Sequence, residues 1–194
     1  IGLSDLGKAA IKEMNRLGII PDISHSSQNT SIDSAKLSSK PVVASHSVAK
    51  SLTGHFRGKE DETIKAICDS GGYIGVCWIP GFLGGSGKID AALDHLEYLI
   101  KKFSAKHVAI GSDRGANCGN SEKSDIQYKS RNIFESHWPK QRYAMDVNIE
   151  MYESLDWTNW PLITVGLHQR GFSDQEIKLV IGENVKRVAI ETLK

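Results

Sequence analysis

The sequence predicts a parallel α/β fold in which about four strands alternate with helices, and three observations carry that reading. Two short apolar runs, Ile19-Ile20-Pro21-Asp22-Ile23-Ser24-His25 and Pro41-Val42-Val43-Ala44-Ser45-His46, each stop on Ser-His and continue with a further Ser. Near-continuous apolar runs of this length fit strands covered on both faces. A third run, His107-Val108-Ala109-Ile110-Gly111-Ser112-Asp113, stops on a carboxylate in the same way. Helical patterns separate the runs, which is the order of right-handed βαβ units. All strand C-termini of such a sheet open on one face, where ligands bind. His25, His46 and Asp113 are therefore expected to converge.

Each element has its own justification. Ser4 to Leu17 is predicted helical, with Leu6, Ala10, Met14 and Leu17 at spacings of three and four, Ser4 as its cap and Gly18 as its left-handed end. Ile19 to Ile23 is the first strand, Ser27 to Leu37 a weaker helix, and Pro41 opens the second strand. Ser47 to Lys59 lacks an apolar period and reads as a loop on the His-bearing face. Asp61 is expected to cap the next helix, which Gly71-Gly72 ends. Tyr73 to Trp78 is the third strand, and Pro80 to Gly87 a turn-rich, mobile loop. Ile89 to Phe103 shows the clearest helical period, and Val108 to Ser112 the fourth strand. Arg114 to Asp156 shows no sustained period, and a loop of that length is usually functional or disordered. Leu155 to Gln169 is expected to be helical in part. Ser173-Asp174-Gln175-Glu176 fits a capping box, and Asn184 is expected to cap a last helix ending near Leu193.

The 194 residues suggest one α/β segment, 1–194. The spacing suits a (β/α) barrel, but a full barrel has eight strands and typically ~250 residues. An open four-stranded sheet and half a barrel both satisfy the string. With 24 Lys+Arg against 23 Asp+Glu, the net charge of +1 gives no electrostatic reason to expect nucleic acid. No run approaches the ~20 apolar residues of a membrane helix, so no membrane segment is expected in this chain. No secretory leader is visible, and Ile1 stands in the approach to a helix, so the natural N-terminus is expected upstream. Cys68, Cys77 and Cys118 are odd in number and form no CxxC, which favours reduced thiols and a cytoplasmic over a periplasmic or extracellular setting.

Two imidazoles at matching strand ends suit zinc and related metals, and Asp113 is the only obvious third group for a catalytic site, which typically takes three protein ligands. The neighbouring serines are poorly placed for a Ser-His hydrolase, because adjacent strand residues point to opposite faces, and no GxSxG elbow is present. Arg57 is either a solvated loop charge or a fork for a substrate carboxylate, with His55 a softer candidate for the same pocket. His95, His107, His137 and His168 read as surface or capping residues, and Trp138, Trp157 and Trp160 as packing.

The segment Glu13-Met14-Asn15-Arg16-Leu17-Gly18-Ile19-Ile20-Pro21-Asp22-Ile23-Ser24-His25 resembles the helix-strand segment of the membrane (renal) dipeptidase family, as does Pro41-Val42-Val43-Ala44-Ser45-His46-Ser47. Arg57, Gly71-Gly72, Asp94-His95, Ile110-Gly111-Ser112-Asp113, Arg170-Gly171-Phe172-Ser173 and Ile181-Gly182-Glu183-Asn184-Val185-Lys186-Arg187-Val188 extend the resemblance to Val188, with a weaker stretch from Arg114 to Trp160. It implies a (β/α)₈ metallohydrolase that cleaves dipeptides with two zinc ions. His25 and His46 match two ligands of one zinc, Asp113 the acid that handles the attacking water and leaving amine, and Arg57 the holder of the substrate's terminal carboxylate. The family's His-x-Asp metal motif and bridging Glu precede Gly2 in the family order. The resemblance is thus to the second half of the barrel, and implies a homo-oligomer or a missing N-terminal half. The family often reads Asp-Phe-Asp-Gly where this chain has Asp113-Arg114-Gly115-Ala116, losing one carboxylate and gaining a positive charge. Hydrolysis of another amide or a lactam, and a non-catalytic binding protein on the same scaffold, are the alternative readings.

Overall fold

The computed structural model describes residues 2–114 and 148–193. Helix α1 (Asp5–Leu17) begins where the Ser4 hydroxyl accepts from the Gly7 N–H and ends on Gly18 at φ 73°, as its sequence predicts. The predicted first strand is reduced to a single parallel bridge, Asp22 to Val43. Ile23 N–H donates to Val43 O (2.8 Å) and Val43 N–H to Pro21 O (3.0 Å). Two local causes shorten it. Pro21 has no N–H to extend the ladder, and the Asp22 carboxylate accepts from Ser24 N–H at 2.9 Å, which starts a turn closed by Ser26 N–H to Ile23 O.

Helix α2 (Gln28–Leu37) leads to strand β1 (Ala44–Ser47), and a short helix α3 (Lys50–Thr53) sits inside the predicted loop. Helix α4 (Asp61–Asp69) precedes β2 (Ile74–Val76), and helix α5 (Pro80–Leu83) occupies the segment expected to be a mobile loop. Pro80, Gly81 and Leu83 are buried there. Helix α6 (Ile89–Phe103) matches its predicted bounds, and a 3₁₀ turn at Ala105–His107 leads into β3 (Val108–Ile110). Asp61 is the first residue of α4 rather than its cap. Its carboxylate instead accepts from the Tyr98 hydroxyl on α6, at 2.9 and 2.8 Å.

Among the described residues the sheet has three parallel strands in the order β1-β2-β3, where four were expected. Alternate strand residues face opposite ways. Ala44, Ile74, Val76 and Val108 join the main core with Ile64, Ile67, Leu96, Leu99 and Leu167. Val43, Tyr73 and Ala109 meet Val188 in a second, smaller cluster.

After the segment 115–147 the chain is helical: α7 (Ile149–Ser154), a 3₁₀ turn (Trp157–Asn159), α8 (Pro161–Gln169), α9 (Asp174–Lys178), a π turn (Leu179–Glu183) and α10 (Asn184–Thr192). The capping box at Ser173 and Glu176 is formed. Asn184 does not cap α10. It is fully buried, and its amide donates to Ala105 O (2.7 Å) and Val108 O (2.8 Å), tying the tail to the entry of β3. Both donors of the amide are used, so the side chain is committed to tertiary contacts. Cys68 and Cys77 are free thiols, both pushed up to about 12 by burial. Cys118, His137 and Trp138 lie outside the described residues, as does most of the stretch 114–156. No helix among the described residues is long and apolar enough to cross a membrane.

Candidate metal centre

The two Ser-His segments meet. His25 Nε2 and His46 Nε2 lie 2.9 Å apart, with ring centroids at 5.0 Å and planes at 60°. His25 leaves the turn after the Asp22 bridge, and His46 stands in an irregularity of β1. Ala44 pairs with Ile74 and Ser47 with Val76, so two residues of β1 oppose the single Gly75 of β2. Such a bulge re-aims a side chain at a sheet rim. It turns the Ser45 carbonyl toward Gly75 and Gly111, where an added Cβ would stand 2.1 and 1.8 Å from that oxygen. Only glycine leaves room for this approach.

A carboxylate joins the two segments from behind. Asp22 Oδ1 accepts from Ser24 N–H (2.9 Å), Ser24 Oγ (2.6 Å) and Ser45 N–H (3.1 Å), while Oδ2 accepts from Ser45 Oγ. Burial raises its pKa, but the hydrogen bonds from Ser24 and Ser45 outweigh it and hold the carboxyl below its usual value. Ser45 Oγ in turn lies 2.8 Å from His46 Nδ1.

Two cations from the loop after β1 close the site. Arg57 is 7% exposed, and Lys59 4%. The Arg57 guanidinium donates to Ser24 O (3.2 Å), lies 3.3 Å from His25 Nε2 and sits over the Phe82 ring at 5.6 Å. It is therefore not a solvated loop charge. Lys59 Nζ donates to Ile23 O (2.6 Å) and Ser26 O (2.8 Å), holding both ends of the turn that carries His25. Burial drives its pKa down to about 8, helped by Arg57. His55 is buried against Phe82, with centroids at 4.6 Å, and its Nδ1 accepts from Arg57 N–H at 3.2 Å. It packs behind the guanidinium.

The two imidazoles suit zinc or a related transition-metal cation. Burial, then the charges of Arg57 and His46, hold the His25 imidazole below its ordinary pKa, which favours the neutral, ligating form, although Asp113 and Asp22 pull the other way. Arg57 only donates, so it faces a lone pair on His25 Nε2. Two Zn–N bonds of about 2 Å allow ring nitrogens at this separation to share one ion. Among the described residues, however, no three His, Cys, Asp or Glu side chains group to hold a metal. Asp113 thus does not complete a three-ligand site. It follows β3 with φ at 54°, in the left-handed region that a non-glycine residue adopts at a cost of order 1–3 kcal/mol, and such residues cluster at functional sites.

Beside Asp113, the Arg114 side chain reaches Tyr152 on α7. Its guanidinium donates to Tyr152 O (2.6 Å) and lies over the Tyr152 ring. With Ser112, Leu155, Trp157 and Trp160 it lines a cavity of about 100 Å³. Trp160 meets the buried Trp78 edge-on at 4.9 Å, a packing role, whereas Trp157 is exposed. His95 is not at the surface. It is buried, accepts from Ala49 N–H (3.1 Å) at Nδ1 and places Nε2 3.1 Å from Leu83 O, so it braces α5 against the loop after β1. His107 Nδ1 lies 2.8 Å from Gly72 O. Sequence reasoning missed Asp22 and Lys59. The signal for Asp22 was present: a carboxylate inside an apolar run, three residues before a histidine.

The family model described as membrane dipeptidase (peptidase family M19) matches residues 1–134. An uncharacterized dipeptidase of Schizosaccharomyces pombe is 39% identical over 116 residues, 58% of this chain and 28% of that protein. The dipeptidase tcpJ of Claviceps purpurea is 26% identical over 193 residues, 98% of this chain and 38% of that protein. The chain thus spans well under half the length of these curated relatives. A metallopeptidase from Rhodobacter sphaeroides, solved with a phosphinate mimic of the dipeptide L-Ala-D-Ala, superposes with a TM-score of 0.73 at 25% identity, over 98% of this chain and 47% of that one.

Proposed function

Because the chain belongs to the membrane dipeptidase family, peptidase family M19, we propose that it carries part of the active site of a zinc-dependent dipeptidase, as the second half of a (β/α)₈ barrel. The observation that carries this reading is the pair of imidazole nitrogens 2.9 Å apart beside a buried guanidinium. His25 and His46 would hold one of two zinc ions, the remaining ligands coming from residues outside this sequence. When bound, zinc supplies Lewis-acid polarisation of the scissile carbonyl and lowers the pKa of water.

The chain's own residues do the rest. Arg57 presents a fork at the site and grips the free carboxylate of the substrate's second residue, which fixes the far end of a dipeptide. Asp113, at the end of β3, takes the proton of the attacking water and returns it to the leaving amine. The Asp22 network and Lys59 hold the ligand-bearing turn. The 194-residue segment alone would be inactive, because it supplies only part of the ligand set. The dipeptide mimic bound by the Rhodobacter sphaeroides relative supports the substrate class. The test is metal content and dipeptide turnover of the full-length protein before and after chelation. Zinc bound, with turnover lost on chelation and restored by zinc, is the expected result. A full-length protein that neither binds zinc nor cleaves dipeptides would refute the reading.

A further inference from the structure

We propose that Asp22 is a positioning residue which, acting through Ser45, fixes His46 in the tautomer whose Nε2 keeps a bare lone pair on the side that faces His25 Nε2, where one cation can be shared. The consequence for metal binding rests on the dipeptidase reading; the tautomer assignment does not. It follows from proton accounting. An ionised carboxylate only accepts, and a serine hydroxyl has one proton to give. Ser45 gives its proton to Asp22 Oδ2. Its oxygen, 2.8 Å from His46 Nδ1, can therefore only accept, so Nδ1 carries the ring proton. In the neutral ring Nε2 is then bare, and that nitrogen lies 2.9 Å from His25 Nε2.

Ser24 obeys the same count. Its proton goes to Asp22 Oδ1 (2.6 Å), and its oxygen accepts the His46 backbone N–H at 3.1 Å. The 3.4 Å approach of the Ser24 and Ser45 oxygens is then a contact between two acceptors, not a hydrogen bond. One carboxylate thus sets the proton direction of both serine hydroxyls, Ser24 and Ser45. Partners behind a ligating histidine of this kind set which ring nitrogen is free and typically change metal affinity 10–100-fold.

The isosteric variant Asp22→Asn reverses the relay instead of merely deleting it. Oδ1 faces two backbone N–H groups, which cannot turn, so the introduced amide must put its oxygen there. Its NH₂ then faces Ser45, which must accept from it and donate to His46 Nδ1. The ring proton moves to Nε2, and the lone pair is lost from the metal side. The experiment uses the full-length protein with ¹⁵N-labelled histidine. In the metal-free wild type, His46 should show the Nδ1–H tautomer, and in Asp22→Asn the Nε2–H tautomer. Zinc affinity, measured by competition with a chromophoric chelator, should fall roughly 10–100-fold in Asp22→Asn and in Ser45→Ala, and return in Ser45→Thr, which keeps the hydroxyl. An Nε2–H tautomer in the wild type, or a His46 tautomer unchanged by both Asp22→Asn and Ser45→Ala, overturns the proposal. If the wild type binds no zinc, the dipeptidase reading fails, and the His46 tautomer still decides whether the relay exists.

Discussion

Arg57 and Lys59 leave the same loop and reach the same turn, yet their chemistry differs. Arg57 brings a planar fork to His25 Nε2 and Ser24 O. Lys cannot reproduce that fork toward a carboxylate. On the dipeptidase reading, Arg57→Ala in the full-length protein should lower kcat/KM for a free dipeptide by roughly ten- to a hundredfold, the equivalent of about 1.5–3 kcal/mol for a charge-assisted pair. A dipeptide amide lacks the carboxylate and should be affected far less. Equal impairment of acid and amide would make Arg57 purely structural. Lys59 serves the fold instead. Its folded pKa of about 8 lies below that of an exposed lysine near 10.5, so the unfolded chain binds more protons between those values. Stability attributable to Lys59 should therefore rise with pH from about 8 to about 10.5. Denaturant unfolding of wild type and Lys59→Met across that window measures it. The difference between them should grow in favour of the wild type as pH rises. The variant should also lose about 1–3 kcal/mol at all pH values from the carbonyls of Ile23 and Ser26 left without Nζ.

At the scale of the element, β1 is the strand that carries His46 to His25. Its bulge sets His46 apart from the regular ladder, and it exists only because Gly75 and Gly111 admit the Ser45 carbonyl. The same carbonyl would meet a methyl group at 1.8 Å in Gly111→Ala, and backbone must then move. Overpacking of this kind costs typically about 1–3 kcal/mol. The variant should melt at lower temperature and bind zinc more weakly than wild type. Gly182→Ala is the control, because nothing stands within 4 Å of its added Cβ. A Gly111→Ala protein with unchanged melting temperature and zinc affinity would show that the bulge does not depend on this approach. The tail acts on the sheet from the other side. Asn184 holds Ala105 and Val108 at the start of β3, the strand that leads to Asp113.

For the molecule as a whole, the three-stranded sheet ends at β3 among the described residues. The last helix carries large apolar side chains into solvent, Ile190 at 70% exposure among them. An unpaired strand edge is a site of association. On the half-barrel reading, the 194-residue chain produced by itself should not behave as a stable monomer. Sedimentation velocity should show association, and calorimetry a broad or absent transition. A monomeric, cooperative unfolding transition would contradict that reading.

What the sequence determined by itself is local. The bounds of α1 and α6, the Ser4 and Ser173 caps and the left-handed Gly18 follow from residues within a few positions of one another. The expectation that His25 and His46 converge was also legible, because strand ends of parallel βαβ units share one face. Only the tertiary structure decided how they converge. The bonds from Asp22 to Ser45, from Arg57 to Ser24 and from Lys59 to Ile23 span 23, 33 and 36 residues, and Asn184 reaches Val108 across 76. The predicted first strand was lost for the converse reason. Periodicity sees the apolar run at Ile19–Ile23, but the ladder stops where Pro21 lacks a donor and Asp22 recruits the following turn. Side-chain pattern reports which face is buried, whereas a ladder needs every backbone donor in place, and that is settled only when the partner strand arrives.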